Sequence, residues 1–179
     1  THNVLPYRED GAIVPVYMGR EYLDLVKTIG CEDDGEGLEL AAEPEAVEQI
    51  RARLEGEGPL VAVAPGAAFG PSKRWPPERY AAVIDQLHDE AGARLVLVTG
   101  PGEEDTRDAV LSAARYPVIV ADGGHPTIDT LKATLALADL LIGNDSGPRH
   151  VAIAFKKPVI CIMGPTSPRY SAGPYETGE

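Results

Sequence analysis

Residues able to hold an oxygen-rich anion recur at five places in this chain: 65–73, 100–102, 122–125, 143–148 and 164–168. Each of these segments contains glycine, which permits positive φ and brings backbone N–H groups close to a ligand. Lys73 ends the first of them, ahead of Arg74-Trp75-Pro76-Pro77 and a helix start. The helix dipole disfavours a cation there, and a bound anion is the simplest compensation. Ser146 and Gly147 open another helix directly after a strand. Their N–H groups and the dipole favour an anion by ~0.3–1 kcal/mol. The chemistry on offer is phosphate binding. Plainer readings stand beside it: Asp145 or Ser146 as an ordinary N-cap, and Lys73-Arg74 as a solvated surface pair. Trp75, the sole tryptophan, is expected to pack its loop against the sheet.

Other chemistries find less support. The stretch from Gly66 to Lys73 lacks the glycine before the lysine and the Ser/Thr after it that a P-loop requires. Residues 100–105 supply two glycines of a dinucleotide fingerprint but not the third, and they follow the second predicted strand. His2, His88, His125 and His150 are not spaced as metal ligands from one another or from Cys31 and Cys161, so no metal is expected. His150 falls one turn into the helix that opens at Ser146, where it either donates to a phosphate or packs. No set of nucleophile and base stands out.

The elements that position these residues form a regular alternation from residue 60 onward. β-rich apolar runs are predicted at 60–64, 94–99, 118–121, 140–143 and 158–163. Between them, 77–90, 103–114, 127–138 and 147–155 carry apolar residues at helical spacing, as in Tyr80, Val83, Ile84 and Leu87. Near-continuous apolar strands joined by helical crossovers predict a parallel sheet covered on both faces, an α/β, Rossmann-like doubly wound domain over residues 60–179. In such a sheet ligands bind beyond the carboxyl ends of the strands, which is the edge where the five glycine-bearing segments fall. Residues 1–59 break the rhythm. Tyr22 to Lys27 reads as a short helix ending at Gly30, 44–54 as a second, and acidic 32–37 as a solvated loop; together they are expected to be a connector or the remnant of a preceding domain.

Composition narrows the classes further. The chain has 179 residues, 16 Lys+Arg against 28 Asp+Glu, and a formal charge of −12, which argues against a nucleic-acid or anionic-membrane binder. Two separate cysteines frame no disulfide scaffold, and Cys161, inside an apolar run, is expected to be a buried, inert thiol of a protein from a reducing, cytosolic setting. No run approaches the ~20 apolar residues of a membrane span. Thr1 in place of an initiator methionine, and a last stretch that reads as neither helix nor strand, lead us to expect a piece of a longer protein, truncated within its last domain.

Taken in order, Pro65-Gly66, Lys73-Arg74-Trp75-Pro76, Asn144-Asp145-Ser146-Gly147-Pro148-Arg149-His150 and Gly164-Pro165-Thr166-Ser167-Pro168 resemble glycosyltransferase family 9, the ADP-heptose:lipopolysaccharide heptosyltransferases. The likeness runs from about Leu60 to Tyr170 and implies the donor-binding, C-terminal half of a GT-B enzyme. It implies an inverting, metal-independent transfer of heptose from ADP-heptose, a substrate rather than a cofactor, to the lipopolysaccharide inner core. Lys73 and Asp145 would then be the catalytic groups, Lys73 neutralising the diphosphate and Asp145 binding hydroxyls of the donor sugar. Ser146 and Gly147 would hold phosphate through backbone N–H groups, with Gly66 and His150 beside them. Glu103 or Glu104 would bond the ribose, the Thr127 segment would border the adenine, and Thr166 would line the donor site.

The general base of such enzymes, and the contact with the lipopolysaccharide acceptor, would lie on an N-terminal domain largely absent here, so this piece alone is expected to bind nucleotide sugar without catalysing. The acidic chain would be cytoplasmic, meeting the inner membrane peripherally through that absent half. Two departures bear on the donor: Ala67, Ala68 and Phe69 stand where some members carry hydroxyls, leaving phosphate contacts to backbone groups, and Arg149 stands where an apolar residue is common, adding charge to the phosphate seat. A non-catalytic nucleotide-binding module and a nucleotide-sugar epimerase of the same architecture are the other readings of these residues.

Overall fold

The computed structural model describes residues 8–68 and 70–171. The chain divides into two compact units, residues 1–37 with 165–179, and residues 38–164. In the smaller unit, β1 (Arg8–Glu9) and β2 (Ala12–Ile13) form an antiparallel hairpin, followed by α1 (Met18–Lys27). This helix begins before the predicted Tyr22 because its N-cap is Tyr17, a residue with no capping side chain and hence no start signal in the sequence.

The larger unit begins earlier than the periodicity suggested. Residues 44–54, read with the connector, form α2 (Pro44–Arg53), started by a proline in its first turn. Its Ile50, with Leu54 just beyond it, is buried in the same apolar cluster as the sheet. The Arg53 guanidinium donates to the Ala121 carbonyl at 2.6 Å. Then follow β3 (Leu60–Ala64), α3 (Pro77–Ala91), β4 (Arg94–Leu97), α4 (Glu104–Ala113), α5 (Ile128–Leu137), β5 (Leu140–Asn144), α6 (Gly147–Ala154) and β6 (Val159–Ile162); α7 (Pro168–Ser171) belongs to the smaller unit.

The four strands β3 to β6 are parallel and lie in the order β4-β3-β5-β6. Strand alternation sends Leu60, Ala62, Ala64, Val96 and Leu141 to one face, under α2, α5 and α6. Val61, Val63, Leu95, Leu97 and Ile142 go to the other, under Tyr80 and Ile84 of α3 and Val110 of α4. Both faces are therefore dry, and each buried Val or Leu contributes ~1.5–3 kcal/mol relative to exposure.

The predicted strand at 118–121 is reduced to one bridge, Ile119 beside Val96. Ile119 exchanges two 2.8 Å hydrogen bonds with Leu95 and Leu97, but its neighbours are diverted. Pro117 has no N–H to give, the Val120 carbonyl accepts from Gly123 N–H, and Ala121 O is taken by Arg53. A second correction concerns Cys161. It is half-buried because β6, among the described residues, pairs with β5 alone, and the neighbouring Ile160 is 53% exposed.

Candidate functional site

After β3 the chain goes to β4 on one side of the sheet, and the later β5 joins β3 on the other. The carboxyl ends of β3 and β5 thus flank the point where the winding reverses, the natural crevice of an open parallel sheet. Asn144, the last residue of β5, holds this crevice together. It is 1% exposed; its Nδ2 donates to the carbonyls of Pro65 (2.7 Å) and Gly66 (3.2 Å), and its Oδ1 accepts from the Tyr80 hydroxyl (2.8 Å) and the Trp75 N–H (3.2 Å). Burial, with a smaller electrostatic contribution from the nearby Cys161, pushes the Tyr80 phenol well above its ordinary range, so it stays a donor. Trp75 meets Tyr80 edge to face at 5.2 Å, the packing role expected of it.

The loop after β3 runs through Gly70, whose φ of 107° suits glycine, into a tight turn at Pro71–Lys73. Arg74 forks onto the Ala67 carbonyl through Nε and Nη2, at 3.2 and 3.1 Å. Phe69 lies outside the described residues, as do Thr1, His2 and 172–179. A Cβ on Gly164 would stand 3.1 Å from Ser72 O and 3.3 Å from Lys73 Cα, so the loop after β6 comes close to this turn because it carries glycine there.

These constraints bring Lys73 to Asp145. The lysine Nζ lies 2.9 Å from Asp145 Oδ2, and Arg149 Nη1 lies 3.0 Å from the other carboxylate oxygen. Asp145 precedes the Ser146 N-cap of α6, which makes no side-chain capping bond, and Pro148 in the first turn has no N–H. Two cations and the positive end of a helix thus face one carboxylate, a local positive surplus in a chain of net charge −12. Ser146 and Gly147 sit at that positive end, with His150 one turn on and half-buried.

Around this centre the acidic candidates are fixed by the loop after β4. Glu103 Oε2 accepts from Gly100 N–H at 2.7 Å, and its carboxylate fills the space where a Cβ on Gly66 would be. Glu104 is exposed; hydrogen bonds from its own N–H and that of Gly102 hold its carboxyl below the usual range. Thr127 caps α5 in a reciprocal box with Thr130 and borders a small cleft with Thr99, Asp122, Pro126 and Thr134. Thr166 is half-buried and belongs to the smaller unit. Among the described residues no group of three or more His, Cys, Asp or Glu could hold a metal ion.

A family model described as glycosyltransferase family 9 (heptosyltransferase) matches residues 22–178. The chain belongs to glycosyltransferase family 9. It is 33% identical over 121 residues to lipopolysaccharide heptosyltransferase 2 of Escherichia coli K12, an alignment that takes in 66% of this chain and 34% of that protein. Among solved structures, the family 9 glycosyl transferase of Veillonella parvula matches 90% of the chain and 47% of its own, with 30% identity and a TM-score of 0.78. The ADP-heptose lipopolysaccharide heptosyltransferase II of E. coli matches 74% of the chain and 41% of its own, with 28% identity and a TM-score of 0.64. The chain spans about a third of the length of the curated relative and under half of the solved chains.

In this family 9 chain the sequence assigns no site role to Asn144 or Tyr80, and it offers Arg149 as added charge for the phosphate seat, without its ion pair to Asp145. The available signals were a polar residue closing an apolar strand and a cation in the first turn of a helix, where the dipole opposes it.

Proposed function

We propose that this chain is the donor-binding half of a GT-B glycosyltransferase that takes ADP-heptose and passes the heptose, with inversion and without a metal, to the inner core of lipopolysaccharide. The observation that carries the reading is the Lys73–Asp145–Arg149 cluster at the positive end of α6, on the crevice of the parallel sheet. Membership of family 9, and 28% identity to an enzyme named for ADP-heptose, support the choice of donor.

On this reading the diphosphate takes the Lys73 ammonium and the N–H groups of Ser146 and Gly147. As the sugar–oxygen bond breaks, negative charge builds on the departing diphosphate, and these fixed donors stabilise it; one such donor is worth ~3–4 kcal/mol in related chemistry. Asp145 accepts a hydroxyl of the heptose once Lys73 has turned to phosphate. Glu104, the exposed one of the acidic pair, reaches the ribose, Glu103 buttresses the loop beneath Gly66, and the Thr127 cleft borders the adenine. His150 and Thr166 are further donor contacts. The general base and the acceptor site belong to an N-terminal half, through which the enzyme meets the cytoplasmic face of the inner membrane.

Calorimetric titration of the chain with ADP, UDP and NAD tests this. Saturable ADP binding is expected, unchanged by a chelator and weakened about ten- to hundredfold by Lys73→Ala, the worth of one charge-assisted hydrogen bond. Absence of ADP binding, or indifference to that substitution, would overturn it.

A further inference from the structure

The two cations on Asp145 are not equivalent. The Lys73 side chain is 19% exposed, whereas those of Arg149 and Asp145 are each 5% exposed. They also hold different oxygens, Lys73 taking Oδ2 and Arg149 taking Oδ1. An anion arriving from solvent can draw Lys73 away and cannot draw Arg149.

That asymmetry matters because drawing Lys73 away strips charge compensation from a buried carboxylate, which is costly unless another cation stays. Arg149 lies in the first turn of α6, where the dipole opposes a positive side chain, so its place is explained by Asp145 four residues earlier and not by the helix. Its geometry is also independent of Lys73, since the two share no oxygen.

We propose that Arg149 is a positioning residue of the donor site: by keeping Asp145 paired, it frees Lys73 to move onto the diphosphate and leaves Asp145 Oδ2 held in place for a sugar hydroxyl. The proposal rests on the donor-site reading above. It adds that the Lys73–Asp145 ion pair is a latch, with Arg149 setting how easily it opens.

The test uses the chain with Arg149→Met, Arg149→Lys, Asp145→Asn and the Asp145→Asn/Arg149→Met double variant, each checked for folding by circular dichroism. The double variant strands no buried charge, and the lysine variant keeps one, so the comparison survives if Arg149→Met alone folds poorly. With inorganic pyrophosphate and with ADP, Arg149→Met should weaken binding about tenfold or more, and Arg149→Lys should recover most of it. In the Asp145→Asn background the same Met substitution should change binding by no more than roughly twofold, because its effect runs through the carboxylate. An equal loss in both backgrounds, or no loss in either, overturns the proposal.

A second readout needs no ligand. Acetylation of Lys73 by acetic anhydride, followed by mass spectrometry, should be several-fold slower in Arg149→Met, where Asp145 holds the lysine alone. An unchanged rate overturns the latch. If the unaltered chain takes up neither pyrophosphate nor ADP, it is the donor-site reading that falls, and the acetylation rates decide the role of Arg149 by themselves.

Discussion

The carboxylate of Glu103 occupies the space that a side chain on Gly66 would need: a Cβ there would overlap Glu103 Oε2. The loops after β3 and β4 are thereby braced against each other, and Glu103 in turn accepts the Gly100 N–H at 2.7 Å. Gly66→Ala should push the flexible Glu103 aside and break that bond, costing about 1 kcal/mol and no more, since the obstacle is the mobile end of a side chain. Urea unfolding checks this, and the loss should shrink when Glu103→Ala is already present. Full additivity of the two substitutions would show that they do not share a site.

Removing Asn144 should be far more damaging. Asn144→Leu keeps the branched shape and heavy-atom count but leaves the Tyr80 hydroxyl, the Trp75 N–H and the carbonyls of Pro65 and Gly66 without their buried partner. We expect a loss of about 3 kcal/mol or more in urea unfolding, against about 1 kcal/mol for Tyr80→Phe, which removes one bond only. Similar losses for the two would mean that water replaces the amide.

Gly164→Ala addresses the turn that carries Lys73. The added methyl would press on backbone, Ser72 O and Lys73 Cα, which cannot swing away as a side chain can. Pyrophosphate affinity should therefore fall several-fold while the stability to urea drops by only about 1 kcal/mol, the lower end of overpacking costs. Unchanged affinity would place the turn's position outside the determinants of binding.

Acid stability should depend on Asp85, in the middle of α3. Burial alone would raise its carboxyl, but the Arg115 side chain and the backbone N–H groups of Arg115 and Tyr116 outweigh it, and the group sits below the usual carboxylate range. A lowered folded value means that its contribution is complete above the unfolded value of about 4 and is lost as pH falls through the folded one. Urea midpoints measured from pH 6 downward should fall less steeply below about pH 4 in Asp85→Asn than in the unaltered chain. Parallel curves would assign the acid limb to other carboxylates.

Much of this was written in the pattern of apolar residues. Leu60 to Ala64 is a continuous apolar run, and such a run can be accommodated only where both faces of a strand are covered. The rim followed from topology, because glycine collects where loops leave a parallel sheet. The helix at Met18 stayed partly hidden, since Tyr17 offers no cap, and so did the weakness of 118–121, which depends on where Arg53 and Gly123 send their donors. Lys73 was legible as a group for the diphosphate and Asp145 as one for the sugar hydroxyls, on one shared rim. That they would neutralise each other was not, because pairing across 72 positions is a property of strand order and not of spacing.

That separation has a kinetic side. During synthesis Lys73 leaves the ribosome well before Asp145, and it stays solvated until β5 has docked against β3. Closing so long a loop is slow compared with forming any of the helices, so the seat proposed for the phosphate is among the last features to assemble. A nucleotide that recognises only the finished seat would drain the population of half-wound chains by mass action and act as a folding aid for its own enzyme.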